Sequence, residues 1–113
     1  MKAVRYHAYG DSSVLAYEDA DRPVAGAGQV VVKVAGCAFN PLDVAIRAGF
    51  VQQVFPVALP HIPGYDVAGV ITETGADVSG WSAGDAVVAM LPITGPGAAA
   101  EYAAAPAGAL AAA

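Results

Sequence analysis

The stretch HIPGYDVAG, His61 to Gly69, places a histidine, a tyrosine and an aspartate within six positions. These residue types can bind a metal ion or move a proton. A catalytic zinc needs about three Cys, His or carboxylate ligands, and the chain has only Cys37, His7 and His61 as Cys or His, with neither CxxC nor HxxxH spacing. The sequence therefore predicts a site without a metal ligand set.

Two other common chemistries find no support in the sequence. The serines at positions 12, 13, 79 and 82 lie in turn-like contexts, where backbone hydrogen bonding explains them, so no catalytic triad can be drawn. The glycines of Gly26-Ala27-Gly28 precede a predicted strand instead of following one and opening a helix. We find neither a nucleophile site nor a dinucleotide fingerprint.

The composition describes the domain that must position these residues. The 113 residues are 57% hydrophobic and 13% charged, which suits one folded domain over residues 1–113. A net charge of -5 gives no electrostatic support for nucleic-acid or membrane-surface binding, so we expect small-molecule or protein partners. The single Cys37 cannot form an internal disulfide, and the start MKAVRYHAYG lacks the apolar core of a signal peptide. Both features predict a cytoplasmic location.

Proline and glycine divide short apolar runs, a pattern that predicts a mainly β fold. The segment after Gln29 is rich in β-branched residues and predicts a strand covered on both faces. Asn40 as cap, Pro41 at the first position and Gly49 as stop predict one or two helical turns. Three prolines predict a surface loop around a cleft for residues 50–64. The predicted strands are Lys2–Tyr6, Leu15–Asp19, Gln29–Phe39, a strand through DVAGVITETG, Ala86–Leu91 and Ala98–Pro106.

Three ordered motifs resemble a known family: NPLDVAIRAG, HIPGYDVAG, and G-x-x-V-x-G-W-x-x-G-D-x-V from Gly75 to Val87. They are similar to the N-terminal GroES-like catalytic domain of medium-chain dehydrogenases/reductases, in the zinc-free quinone oxidoreductase and alkenal reductase branch. The resemblance implies a partly open Greek-key β-barrel with short helices. In zinc-dependent members a ligand cysteine stands at the position of Asn40, and Gly-His-Glu stands at Gly64-Tyr65-Asp66, so the resemblance implies that the metal ligands are replaced.

The resemblance also implies an activity. Relatives transfer a hydride from NADPH to a quinone or to the activated C=C bond of an α,β-unsaturated carbonyl. Their Rossmann domain, which holds most of the NADPH, is absent from this chain, so we expect the chain to be part of a longer enzyme and inactive by itself. A homodimer is a further expected partner. The alternatives are a freestanding GroES-like module for binding or scaffolding, and a zinc dehydrogenase.

Residue roles follow from the same resemblance. Each has a structural alternative: a helix cap for Asn40, an i+4 pair with Arg47 for Asp43, a packed phenol with a satisfied hydroxyl for Tyr65, and core packing for the phenylalanines. At Ala45, close quinone reductases often carry a tyrosine that contacts the cofactor, so one contact is missing here. The implied roles are catalytic for Asn40 and Tyr65, cofactor-binding for Asn40, Asp43 and Ala45, and substrate-binding for Phe50 and Phe55.

Four further residues receive structural assignments from the sequence. We expect Asp66 to accept hydrogen bonds from backbone amides, because a buried carboxylate needs partners. His61 is expected at the surface or rim of the domain. Cys37 is expected as a small packed side chain, and Trp81 as the anchor of a turn.

Overall fold

A computed structural model describes all 113 residues of the chain. The chain forms seven β-strands and one α-helix. Two single 3₁₀ turns lie at Ser12–Val14 and Ala107–Ala109. The elements are β1 (Lys2–Tyr6), β2 (Leu15–Asp19), β3 (Gln29–Ala38), α1 (Pro41–Ala48), β4 (Asp66–Thr74), β5 (Ala86–Met90), β6 (Tyr102–Pro106) and β7 (Leu110–Ala112).

The strands form an antiparallel hairpin and a five-stranded antiparallel sheet. The hairpin pairs β1 with β2, and the larger sheet has the order β6-β3-β4-β5-β7. Strands β3, β4 and β5 are consecutive neighbours, and β6 returns beside β3, which is the Greek-key order. The sheets do not close on themselves. The mainly β, partly open Greek-key fold with short helices is therefore confirmed.

Two predictions at the C-terminal end need correction. The last predicted strand, Ala98–Pro106, is a strand only from Tyr102, because residues before it bond to other loops: the Ala98 and Ala99 N–H groups donate to Gly64 and Pro63. Strand β7 was not predicted at all. Alanine is a poor strand former, and this strand exists because β5 offers it a pairing edge, with Ala112 opposite Val87.

The core is centred on the first half of β3, an internal strand of the larger sheet. Val30, Val31 and Val32 are consecutive and fully buried, so this half of β3 is covered on both faces as predicted. From Lys33 onward the strand is only partly covered, so the prediction was wrong for its second half. The buried cluster draws on β3, β4, β5, β6 and α1 and contains Val30, Val32, Ile46, Tyr65, Val67, Ile71, Val87, Leu91, Ala98, Ala103 and Ala105.

Helix α1 has the predicted boundaries. Asn40 is extended before it, with φ of -120°, Pro41 opens it, and Gly49 ends it in the left-handed conformation with φ of 85°. The Gly49 N–H donates to the Ala45 and Ile46 carbonyls. At eight residues, α1 is far shorter than a membrane span, and no helix of the structure meets the length and apolarity of one.

Gly69 lets β3 and β4 approach closely at a register irregularity. It pairs with Val34, and a Cβ at this position would overlap the Lys33 carbonyl oxygen and crowd the Val32 side chain. Backbone cannot move aside as a flexible side chain can. By contrast, a Cβ added at Gly36, on the facing strand, would have nothing within 4 Å.

This contrast predicts the effect of two matched substitutions. We expect Gly69→Ala to lower the free energy of unfolding by more than about 2 kcal/mol, because the added methyl overpacks a fixed backbone. We expect Gly36→Ala to change it by less than about 1 kcal/mol, since an open strand position tolerates alanine. Urea unfolding followed by tryptophan fluorescence measures both, and equal effects would contradict this packing.

Candidate functional site

The carboxylate of Asp43 ties the start of α1 to the segment before β4. Its Oδ2 accepts from the Asn40 backbone N–H at 2.8 Å, and its Oδ1 accepts from the Gly64 N–H at 2.9 Å. The side chain is buried, and two N–H donors offset the cost of burying its charge. The expected pair with Arg47 does not form, because both oxygens have these partners and Arg47 Nε lies 3.3 Å from the Gly10 carbonyl.

The side chain of Asn40 is fixed by Asp66. Its Nδ2 donates to Asp66 Oδ2 at 2.9 Å, so the expectation that Asp66 accepts backbone amides is wrong. Asn40 is exposed and Asp66 half-buried. One amide hydrogen is used, and the Asn40 side chain takes part in a capping box with Asp43, so the second amide hydrogen is left for a ligand. The residue is thus both the helix cap position and an oriented polar group at the surface.

Tyr65 lies in the core next to this pair. It is only 2% exposed, and its hydroxyl bonds His61 Nε2 at 2.9 Å. Burial, with smaller contributions from Asp43 and Tyr6, raises the pKa of Tyr65, so the phenol stays protonated near neutral pH. This environment matches the structural alternative for Tyr65, a packed phenol with a hydrogen-bonded hydroxyl. The catalytic role of Tyr65 stays a prediction.

His61 is not at the surface, and this correction has a clear cause. Its backbone forms an isolated antiparallel bridge with Tyr6, which pulls the ring into the interior, where it is 3% exposed. The Tyr6 and His61 rings meet edge to face with centroids 5.5 Å apart. Burial lowers the pKa of His61, and the nearby Asp43 charge opposes that shift. In the sequence, His61 is a single histidine between Pro60 and Pro63, and this context gave no signal that it would be buried.

Metal-binding side chains do not converge here. No group of three His, Cys, Asp or Glu in the structure could hold one metal ion. Cys37 is half-buried beside Gly64, and burial raises the pKa of its thiol, which fits a packed side chain. Trp81 is half-buried and packs against the core, as expected for a turn anchor.

Three residues with predicted roles lie apart from this cluster. Phe50 is 83% exposed, so core packing is excluded for it. Phe55 is half-buried and packs against the core. Ala45 is half-buried on α1. The substrate-binding role of both phenylalanines and the cofactor-binding role of Ala45 stay predictions.

The sequence reasoning missed an open apolar groove beside the polar pair. The groove has a volume of about 600 Å³ and lies across β3, β4, β5 and the β7 end, with Asp66 as its charged member. Val88 and Met90 line it with 41% and 58% of their surface exposed. The signal was the unbroken apolar run AVVAM, which indicates a strand with apolar groups on both faces.

A comparison with known families identifies the domain. Residues 26–113 match the alcohol dehydrogenase GroES-like domain. The chain belongs to this family. The match confirms the family expected from the three motifs, and solved structures that contain this domain share its fold over 99% or more of the chain.

Related proteins that contain this GroES-like domain are longer. A chloroplastic quinone-oxidoreductase QR1 of Triphysaria versicolor is 39% identical over 103 residues, which cover 90% of this chain and 31% of that protein. A mycobacterial protein solved in complex with NADPH is 30% identical with a TM-score of 0.87 over 100% of this chain and 34% of its own. A cobalt- and zinc-bound alcohol dehydrogenase from Pyrobaculum aerophilum is 31% identical with a TM-score of 0.88 over 99% and 41%. The chain spans about a third of the length of the curated relatives it matches.

The two hydrogen bonds to Asp43 give a stability prediction. We expect Asp43→Asn to lower the free energy of unfolding by about 2 kcal/mol, because one carboxylate oxygen becomes an NH₂ group that faces a buried N–H donor. Asp21→Asn is the matched control, since Asp21 is exposed and has no hydrogen-bond partner in the structure. Chemical unfolding at pH 7 measures both variants. An Asp43→Asn protein as stable as the control would contradict the role given to these bonds.

Proposed function

We propose that this GroES-like domain is the catalytic domain of a longer NADPH-dependent oxidoreductase that reduces quinones or α,β-unsaturated carbonyls without zinc. One observation carries the proposal: an oriented amide, Asn40 held by Asp66, lies next to an open apolar groove. The resemblance implies that zinc-dependent members of the family have a ligand cysteine at the position of Asn40. The names of the quinone oxidoreductase relatives and the NADPH-bound neighbour support the same reading.

The donor set favours a nicotinamide over a metal. An amide is a poor zinc ligand, and Tyr65, at the position of the second ligand, has its hydroxyl engaged by His61. The remaining N–H of Asn40 instead suits the carbonyl oxygen of a carboxamide. When bound, NADPH would supply the hydride. The chain's own residues would orient its reactive ring and exclude water.

The groove suits a flat, mainly apolar acceptor. Its lining is largely Val, Ala and Met, so burial of a quinone or enone ring there gains the hydrophobic free energy of the covered surface. Asp66 is the only carboxylate in the lining, and Asn40 engages one of its oxygens. A negatively charged acceptor would be repelled by it. We therefore propose neutral acceptors, and, from the single free cysteine, a reducing cytoplasmic location.

Two experiments test the assignment. The DNA downstream of the Ala113 codon should continue into a Rossmann domain, and the resulting full-length protein should oxidise NADPH in the presence of a small quinone or an alkenal. A gene that stops at Ala113 would favour the freestanding binding module. A full-length protein that oxidises an alcohol but reduces neither acceptor would overturn the proposed reaction.

Asn40 gives the test at residue level. In the full-length protein we expect Asn40→Ala to raise the KM for NADPH or lower kcat by about tenfold, because one oriented contact to the cofactor is lost. Gln53→Ala is the control, an exposed amide in the loop after α1. Steady-state kinetics with unchanged constants for Asn40→Ala would reduce Asn40 to a helix cap.

Metal content is a separate prediction. We expect the purified full-length protein to contain far less than one zinc per chain at this site, and to keep its quinone reductase activity after dialysis against a chelator. The reason is the replacement of thiolate and imidazole by the Asn40 amide and the Tyr65 phenol. Mass spectrometric metal analysis that finds about one zinc per chain, together with loss of activity on chelation, would revive the zinc dehydrogenase.

A further inference from the structure

In the loop between α1 and β4, His61 is the first residue with backbone hydrogen bonds after residues 56–60, which have none. The Phe55 N–H donates to Val51, and no backbone N–H or C=O of residues 56–60 bonds within the protein. The His61 N–H then donates to the Tyr6 carbonyl at 2.9 Å, and the Tyr6 N–H donates to the His61 carbonyl at 3.0 Å. Beyond it, the Ile62, Pro63 and Gly64 carbonyls accept from residues 97–99. The end of the loop is therefore hydrogen-bonded to β1 at His61 alone.

The side chain of His61 lies between two phenols. Tyr65 has His61 Nε2 as its only hydrogen-bond partner. We assign the phenol as the donor and Nε2 as the unprotonated nitrogen, because the reverse direction would leave the buried phenol hydrogen without an acceptor. Tyr6 is fully buried, and its hydroxyl has no partner. This surrounding favours a neutral imidazole. A proton on Nε2 would reverse the bond and leave the Tyr65 hydrogen without an acceptor.

Charges on the neighbouring elements compensate an imidazolium only in part. The Asp43 charge favours it, but the effect of burial is larger. The Asp43 carboxylate already accepts two backbone N–H groups. Arg5, on β1, shares with His61 a cavity of about 140 Å³. Its guanidinium is paired with Glu18 at 2.6 Å and offers no opposite charge to an imidazolium. The charged or titratable groups near His61 are Tyr6 and Arg5 from β1, Asp43 from α1, and Tyr65 from its own segment. Arg47 of α1 acts on Tyr6.

We propose that His61, Tyr6 and Tyr65 form an acid-sensitive latch, in which neutral His61 holds residues 58–61 against β1 and protonated His61 releases them. A cavity of about 140 Å³ borders this segment at Ala58, Pro60 and His61, which leaves room for it to move. Release removes the Tyr6 bridge and frees the loop end that adjoins Gly64 and the Asp43 contact. The latch is a property of this chain's fold and does not depend on the proposed reaction.

The pH range follows from proton linkage. In the released state His61 has an ordinary pKa near 6.5, whereas burial lowers the pKa in the latched state. The released state therefore binds the proton more tightly. The stabilisation is complete above about pH 6.5 and declines as the pH falls from there toward the lower pKa of the latched state. For one proton, the ratio of released to latched molecules rises by up to about tenfold per pH unit in that interval.

Amide hydrogen exchange on the 113-residue chain tests the latch. We expect the protection factors of the Tyr6 and His61 amides to fall on the order of tenfold between pH 7 and pH 5.5, while that of Val32, in the core of β3, falls much less. An NMR titration of the same sample should give His61 a pKa below 6.5. His7, the only other histidine, provides a second resonance in the same spectra.

Matched variants separate the latch from general acid sensitivity. His61→Gln keeps an acceptor for Tyr65 but cannot titrate, so the pH dependence at Tyr6 should disappear, whereas His7→Gln should retain it. Tyr65→Phe removes the donor that favours neutral His61, so the pKa of latched His61 should rise toward 6.5 and the fall in Tyr6 protection between pH 7 and pH 5.5 should become smaller. If His61→Gln does not fold, the wild-type titration and Tyr65→Phe still decide the question. Tyr6 protection that is independent of pH, or that falls equally in His61→Gln, would overturn the proposal.

Discussion

The buried carboxylate of Asp43 is the contact on which the site depends. Its two oxygens accept the Asn40 and Gly64 N–H groups, and they join the N-terminus of α1 to the chain that leads into β4. That junction brings Asn40 to Asp66 across 26 positions of sequence. Without the carboxylate, the buried Gly64 N–H and the partly buried Asn40 N–H would lose their acceptor, at a cost that is appreciable against the stability of a small domain. The charge therefore has a structural role, and the cofactor-binding role of Asp43 stays a prediction.

The sheet provides the second half of the site. Strands β4 and β5 bury one face in the core, while Val88 and Met90 on the outer face line the groove next to Asp66. An apolar outer face costs solubility unless something covers it, and the curated relatives are about three times as long as this chain. The polar Asn40–Asp66 pair and the apolar groove together form the site at which we propose that a flat molecule binds with one end oriented. That combination supports the proposed hydride transfer to a neutral acceptor.

The latch and the site share a boundary at Gly64. On one side, Asp43 holds the Gly64 N–H; on the other, His61 and Tyr65 bond each other four positions apart. The position that the resemblance assigns to a zinc-ligand histidine is thus occupied by a tyrosine that turns inward to a histidine of its own chain. Acid would act first on this interior pair, because a buried imidazole loses more than an exposed one on protonation. The buried hydroxyl of Tyr6, which lies against the His61 ring, has no hydrogen-bond partner.

Local sequence determined the elements, the family and the helix caps. The β-branched run after Gln29 and the Asn40, Pro41 and Gly49 signals act over a few residues, so their structures could be predicted from neighbours alone. Tertiary structure decided the rest. Whether Asp43 would bond Arg47 or Gly64, whether His61 would be exposed or buried, and whether the alanines of β7 would form a strand depended on partners distant in sequence. Hydrogen bonds and burial at those positions are set by which segments meet in space, and no short stretch of sequence contains that information.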